Sequence, residues 1–323
     1  MKKKQLLCVL LTGLMLLVPY SGVLAEEAET RTEETEMTSG ADNEEEMVSG
    51  FDQFFMAEGQ EYELDLDGDG KTESISYKDT SITDDENGDY QAKAEIYRNG
   101  ELLFQLESNV YTYYWNFSYV TMKDGKTCLL AASISDNDWT AELLLLSQED
   151  EDSLTIVGDL AELSRKNDET SSNFLSGWAR FSYVIPSEKE NTFAVVWCET
   201  LHATGIVQTE LTYELAEDGI SLKEPPYRIW RMGQDGEINE TEQEWTAISA
   251  LDVKKEPGSE ETAYTVQPEE TVTLLETTCQ DGKIWILCEN SSKEQGWLED
   301  PEEYLYDEST GCSGCFKEAF FAG

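Results

Sequence analysis

Four carboxylates fall within nine residues of the stretch YELDLDGDGKTESISY, residues 62–77: Asp65, Asp67, Asp69 and Glu73. Their alternation puts three acid side chains on one concave side of a loop, with Glu73 closing it. Gly70 permits the sharp bend, and Lys71 stands where a loop of this kind offers its backbone carbonyl. Calcium takes about six to eight oxygens from carboxylates and carbonyls. The five residues Asp65, Asp67, Asp69, Lys71 and Glu73 therefore read as calcium ligands, against the plainer reading of a hydrated acidic hairpin. The helix-flanked form of such a loop needs a further acid where this chain has Ser76, and the residues after Glu73 alternate as a strand does.

Other chemistry is thinly represented. The chain has one histidine, His202, which excludes a histidine-rich zinc site. Cys198 and His202 lie close in sequence, but a thiol–histidine nucleophile also needs a third, orienting group. The reading here is a surface-loop histidine. A glycosidase needs only a pair of carboxylates, and no motif singles out a pair among the 68 acids. The stretch VYTYYWNFSYV, residues 110–120, places Tyr111, Tyr113, Trp115, Phe117 and Tyr119 on one strand face. Such a row fills a core or, if solvent-facing, stacks on sugar rings. Cys312 and Cys315 form a CSGC turn in the terminal segment, where a small structural disulfide is expected rather than a redox site.

The ends set the compartment. Lys2, Lys3 and Lys4 precede an apolar run from Leu6 to Val18 that Pro19 breaks, and Val23-Leu24-Ala25 follows with small or medium residues at the positions a signal peptidase reads. Residues 1–25 read as a secretory signal peptide. No other stretch is long and apolar enough to span a bilayer, so no transmembrane segment is expected in the mature chain. The formal charge of −46 repels nucleic acid and anionic membranes and favours cations. Residues 26–50 hold ten acids, one arginine and no aromatic residue, the composition of a disordered linker. The six cysteines outside the leader are free to pair in an oxidising compartment.

From residue 51 to about 230 short strand-like runs alternate with Gly, Asp and Asn turns, and no long helical period occurs. The runs group into three four-stranded units. The first has strands near 60–66, 73–78, 91–97 and 101–106. The second is NFSYVTM, TCLLAASI, WTAELLLL and SLTIV. The third is WARFSYVI, TFAVVWCE, IVQTELTYEL and ISLKE. DGKT occurs verbatim in the first turn of units one and two, at 69–72 and 124–127. A four-stranded unit repeated at such a period is how propeller blades are built, and a sandwich is the alternative. The second turn keeps only Asp124 of the acid series, so one metal site is expected rather than three. SDNDW, 135–139, reads as a turn despite Asp136 and Asp138.

The loop at 65–73 resembles the calcium loop between strands of FG-GAP/VCBS-type propeller repeats, with Glu73 in place of the usual final Asp. The resemblance implies a rigid extracellular β scaffold. Family propellers close with about seven blades, so three units imply another closure. Residues 266–300, VQPEETVTLLE, DGKIWILCEN and EQGWLED, resemble bacterial SH3-like domains, with Trp285 and Gly296-Trp297 the most telling residues. The resemblance implies a small barrel over 246–306 that contacts wall peptides or polysaccharides, with Trp285 and Trp297 as candidate ligand contacts. The closing CFKEAFFAG, within a tail at 307–323, resembles the ends of secreted Firmicutes proteins of this layout.

The expected protein is all-β: antiparallel four-stranded propeller-like units over 51–230 and a small SH3-like barrel. It is secreted or surface-attached, binds calcium, and has a non-catalytic role toward a cell-wall polymer, a glycan or an extracellular protein. The rival is a secreted polysaccharide hydrolase working through a carboxylate pair.

Overall fold

The computed structural model describes residues 56–84, 89–108, 111–135, 139–150, 153–165, 179–216, 219–231, 243–303, 306–307, 312–319 and 321. The expected leader (1–25), the acidic segment (26–50) and the pair Asp136 and Asp138 lie outside them. Nearly every element is a strand and the sheets are antiparallel, as the alternating runs required. Among the described residues no helix is long and apolar enough to cross a membrane.

The first unit contains β1 (Tyr62–Leu64), β2 (Glu73–Asp79), β3 (Ile82–Asp84), β4 (Asp89–Gln91), β5 (Lys93–Arg98) and β6 (Glu101–Glu107). Its sheet runs β1-β2-β5-β6, and β3 pairs β4 as a separate hairpin. Asn99 and Gly100, both at positive φ, make the two-residue turn that sets Arg98 opposite Glu101. The second unit is β7 (Tyr114–Thr121), β8 (Thr127–Ile134), β9 (Thr140–Asp150) and β10 (Ser153–Asp159), a meander of four neighbours. A five-residue helix, α1 (Leu160–Ser164), follows, its N-terminus held by the Asp159 carboxylate. The third unit is β11 (Arg180–Pro186), β12 (Thr192–Leu201), β13 (Gly205–Ala216), β14 (Gly219–Leu222) and β15 (Tyr227–Arg231). Both β14 and β15 pair β13, one toward each end.

The units stack through their faces. All eight residues of β8 are buried, which explains why TCLLAASI reads as a continuous apolar run instead of alternating. Leu129 and Ala131 pack toward the first unit with Leu64, Ile75 and Ile96. Cys128, Leu130 and Ala132 pack toward the third with Phe193, Val195 and Trp197. The far face of the first sheet is polar: Tyr97 and Gln105 both donate to Glu95 there.

The C-terminal part supplies β16 (Glu244–Thr246), β17 (Leu251–Lys254), β18 (Thr262–Val266), β19 (Thr271–Gln280), β20 (Lys283–Asn290) and β21 (Gln295–Glu299). Two short strands, β22 (Tyr306–Asp307) and β23 (Cys312–Ser313), pair beyond them. The small barrel expected here does not close. The order is β18-β17-β21-β20-β19, and β19 gives its remaining edge to β16 and β15. Tyr227 faces Thr277 and Arg228 faces Glu276, so the third unit and the C-terminal part share one sheet of eleven strands. The tail locks this junction. Phe316 is fully buried beside Trp245, the Cys315 N–H donates to Ala203 O, and the Lys317 N–H donates to Thr246 O.

Candidate metal centre

The acidic loop joins β1 to β2. Leu66 sits between Asp65 and Asp67 and is wholly buried, so the alternation that drives it inward turns its two neighbours toward the surface. Asp65 and Asp67 are half-buried and Asp69 is exposed. One oxygen from each lies within 4.8 Å of the other two. The backbone folds around these groups. Asp65 accepts the N–H of Gly68 at 2.7 Å on one oxygen and that of Gly70 at 2.9 Å on the other. Asp67 accepts the Asp69 N–H at 2.9 Å, and Asp69 accepts the Lys71 N–H at 2.7 Å. Gly68 and Gly70 have φ of 76° and 85°, a region that costs other residues about 1 kcal/mol or more.

The Lys71 ammonium lies 2.5 Å from Asp69 Oδ2. Its hydrogen bond, and then that of the Lys71 main chain, hold the Asp69 carboxyl below the usual carboxylate range. The same contact raises Lys71. Glu73 stands apart from the aspartate cluster, its Oε2 3.4 Å from the Leu66 N–H. The structure thus brings Asp65, Asp67 and Asp69 together and gives Glu73 to the loop's own backbone. Three clustered carboxylates are hard oxygen donors, the set that a hard divalent cation prefers.

The loop also leans on the second unit. Asp65 O accepts the Thr127 N–H at 2.7 Å, and a Cβ placed on Gly68 would stand 3.4 Å from Lys126 Cβ. The Lys126 ammonium does not turn to the acids; it donates to Gln148 O at 2.8 Å. In the second DGKT turn Asp124 accepts the Lys126 N–H at 3.1 Å and has no acidic neighbours like those of Asp69.

The other sequence candidates are placed as follows. Trp285 is buried, 3% exposed, and Trp297 is half-buried. Cys315 is buried with a free thiol that burial pushes up to about 12, and the Cys312 side chain lies outside the described residues. Cys198 and His202 are separately engaged. The Cys198 thiol is raised by burial and bonded by Ser182 and Gln208, whereas the His202 ring nitrogen Nδ1 lies 2.6 Å from Pro301 O. The aromatic row divides. Trp115 and Phe117 are 1% exposed and fill the core, while Tyr111, before the strand begins, packs edge-on with Tyr90 and Tyr113 at the surface.

One site escaped the sequence. Asp300 is half-buried and accepts the N–H of His202 at 3.2 Å and of Ala203 at 2.7 Å. Burial pushes its carboxyl up to about 6. Nothing local marks it, because its partners lie almost a hundred residues away.

No family model, no curated protein and no solved structure matches this chain.

Proposed function

We propose that the protein is a secreted or surface-attached β scaffold whose first unit is stiffened by calcium, with a non-catalytic binding role. In this reading the units are FG-GAP/VCBS-like repeats, and the C-terminal part is an SH3-like module that contacts a wall polymer, a glycan or an extracellular protein. The observation that carries it is the convergence of Asp65, Asp67 and Asp69 oxygens within 4.8 Å on a loop that two positive-φ glycines make possible. Carboxylates this close repel by about 1 kcal/mol per pair even in a water-like medium. A divalent cation turns that repulsion into attraction and clamps the loop against Thr127. Glu73 and the Lys71 carbonyl complete the ligand set when the loop tightens on the ion.

The test is calorimetry of the mature protein in chelator and in calcium. At a free concentration about a hundred times the dissociation constant, binding stabilises the fold by about 2.7 kcal/mol, a rise of about 5–10 °C. A melting temperature indifferent to calcium ends the calcium reading. Sedimentation with purified cell walls tests the second half separately, and failure to co-sediment removes the wall as partner.

A further inference from the structure

We propose that the C-terminal part carries a docking groove for an extended, basic polypeptide segment, which adds to the free edge of β18. This deepens the binding role above and rests on that reading only for the module having a partner; it needs neither calcium nor a wall polymer. Three observations meet at one place. The first is topological: β18 ends the strand order of the eleven-stranded sheet, with β17 on one edge and, among the described residues, no strand on the other. A bare edge presents a row of backbone donors and acceptors that an extended chain completes.

The second is shape. A groove of about 460 Å3 runs between β18, the turn after it and the turn between β20 and β21. Thr265 and Val266 of the edge and Asn290 are among the residues that line it. Tyr264 is also in the lining, and its hydroxyl donates to Cys288 O at 2.8 Å. That bond ties the edge strand to β20.

The third is charge. Glu269, Glu270 and Glu294 stand around the groove. Glu270 uses one oxygen for the Gln267 N–H, and Glu294 uses one for the Asn290 side chain. Each keeps a second oxygen without a partner among the described residues. Glu269 already holds an ammonium, that of Lys317 from the chain's own tail, which shows the chemistry this rim accepts. A strand laid along β18 sends alternate side chains into the groove, and lysine or arginine at those places meets Glu270 and Glu294. An acidic or phosphate-bearing chain meets repulsion at the same points.

Fluorescence anisotropy with the intact protein at about 0.15 M salt tests this with a labelled octapeptide of alternating Val and Lys. Its alternating Val-Glu counterpart and a Val-Lys version N-methylated along one edge serve as comparisons. The expected result is saturable binding of the Val-Lys peptide alone. The conservative double variant E270Q/E294Q keeps the local hydrogen bonds and is expected to weaken binding about tenfold, each lost exposed pair counting for a few-fold. Three results overturn the proposal: no binding of the Val-Lys peptide, equal binding of its N-methylated form, or an affinity unchanged in E270Q/E294Q. Wall sedimentation is read independently, so the wall reading and this one fail separately.

Discussion

The two DGKT turns share four residues and differ in everything that precedes them. The first follows Leu64-Asp65-Leu66-Asp67-Gly68, so a strand's alternation is carried into the loop and Leu66 anchors it from below. The second follows Met122-Lys123 and has no acid before Asp124. The shared tetrapeptide gives both turns the same local bond, the aspartate accepting the lysine N–H two residues on, and a positive-φ glycine, and the preceding residues decide whether the turn gathers charge. The two turns also touch, through the Asp65 O to Thr127 bond and the Gly68–Lys126 approach. Stacking the units sets equivalent turns side by side, and the plain turn becomes the support of the acidic one. The loop between β12 and β13 is a third case. It has no acid of its own and is held by one from far along the chain, Asp300.

The largest effect expected on this comparison comes from the anchor. Leu66→Ala empties a fully buried site and should destabilise the protein by about 2–5 kcal/mol, measured by denaturant unfolding. It should also abolish any calcium-induced rise in melting temperature, because the aspartates on either side lose their fixed directions. A loss of stability with the calcium response intact would show that the aspartates converge without their anchor. The next effect separates the turns chemically. Asp65→Asn should remove the calcium response, about 2.7 kcal/mol at a hundredfold excess over the dissociation constant, and Asp124→Asn should leave it whole. Equal responses in the two variants would erase the distinction between the turns.

The third loop gives a pH test of opposite character to the exposed acids. The folded Asp300 carboxyl lies at about 6, above its ordinary 3.8. The native state therefore binds more protons than the unfolded one between those values. Its contribution to stability is greatest below the ordinary value, declines as pH rises through about 4 to 6, and is flat above. The change is at most about 3 kcal/mol, at 1.36 kcal/mol per pH unit. Asp69, held below its ordinary value by Lys71, acts the other way and loses its small contribution as pH falls. Unfolding measured across pH 4 to 7 in the protein and in Asp300→Asn should show the decline vanish in the variant. An identical profile in both would assign the titration elsewhere.

Much of the fold was legible because it is local. The first two four-stranded sheets follow from alternation and turn residues, whereas the third group of strands runs on into the eleven-stranded sheet, and the all-buried β8 follows from an uninterrupted apolar run. Asn99-Gly100 and Asp281-Gly282 mark their hairpins directly. The pairing of β15 with β19 was not legible. Tyr227 and Thr277 meet across fifty residues, and nothing in either strand names the other. That pairing and the one with β16 occupy the outer edge of β19. The metal centre divides in the same way. The aspartate cluster is written in its spacing, but the place of Glu73 depends on which backbone N–H it finds first. Trp285 is a candidate contact by its motif, and its burial in the structure is a property of the whole sheet that no motif states.

The smallest effect concerns contact between the turns. Gly68 and Gly70 both have positive φ, so alanine at either is strained by about 1 kcal/mol. They differ in surroundings: a Cβ at Gly70 meets nothing within 4 Å, whereas one at Gly68 meets Lys126 Cβ at 3.4 Å. That distance is ordinary packing, so backbone strain should dominate and the Gly68→Ala and Gly70→Ala losses should agree within a few tenths of a kcal/mol, about the tolerance for independent sites. The contact should emerge instead in combination with Lys126→Ala, which removes the side chain beyond Cβ that lies over Gly68 and bonds Gln148 O. Gly68→Ala with Lys126→Ala should be non-additive, and Gly70→Ala with Lys126→Ala additive, in a double-mutant cycle read by denaturant unfolding. Additivity in both cycles would mean that the acidic loop rests on the second unit only through the Asp65 to Thr127 hydrogen bond.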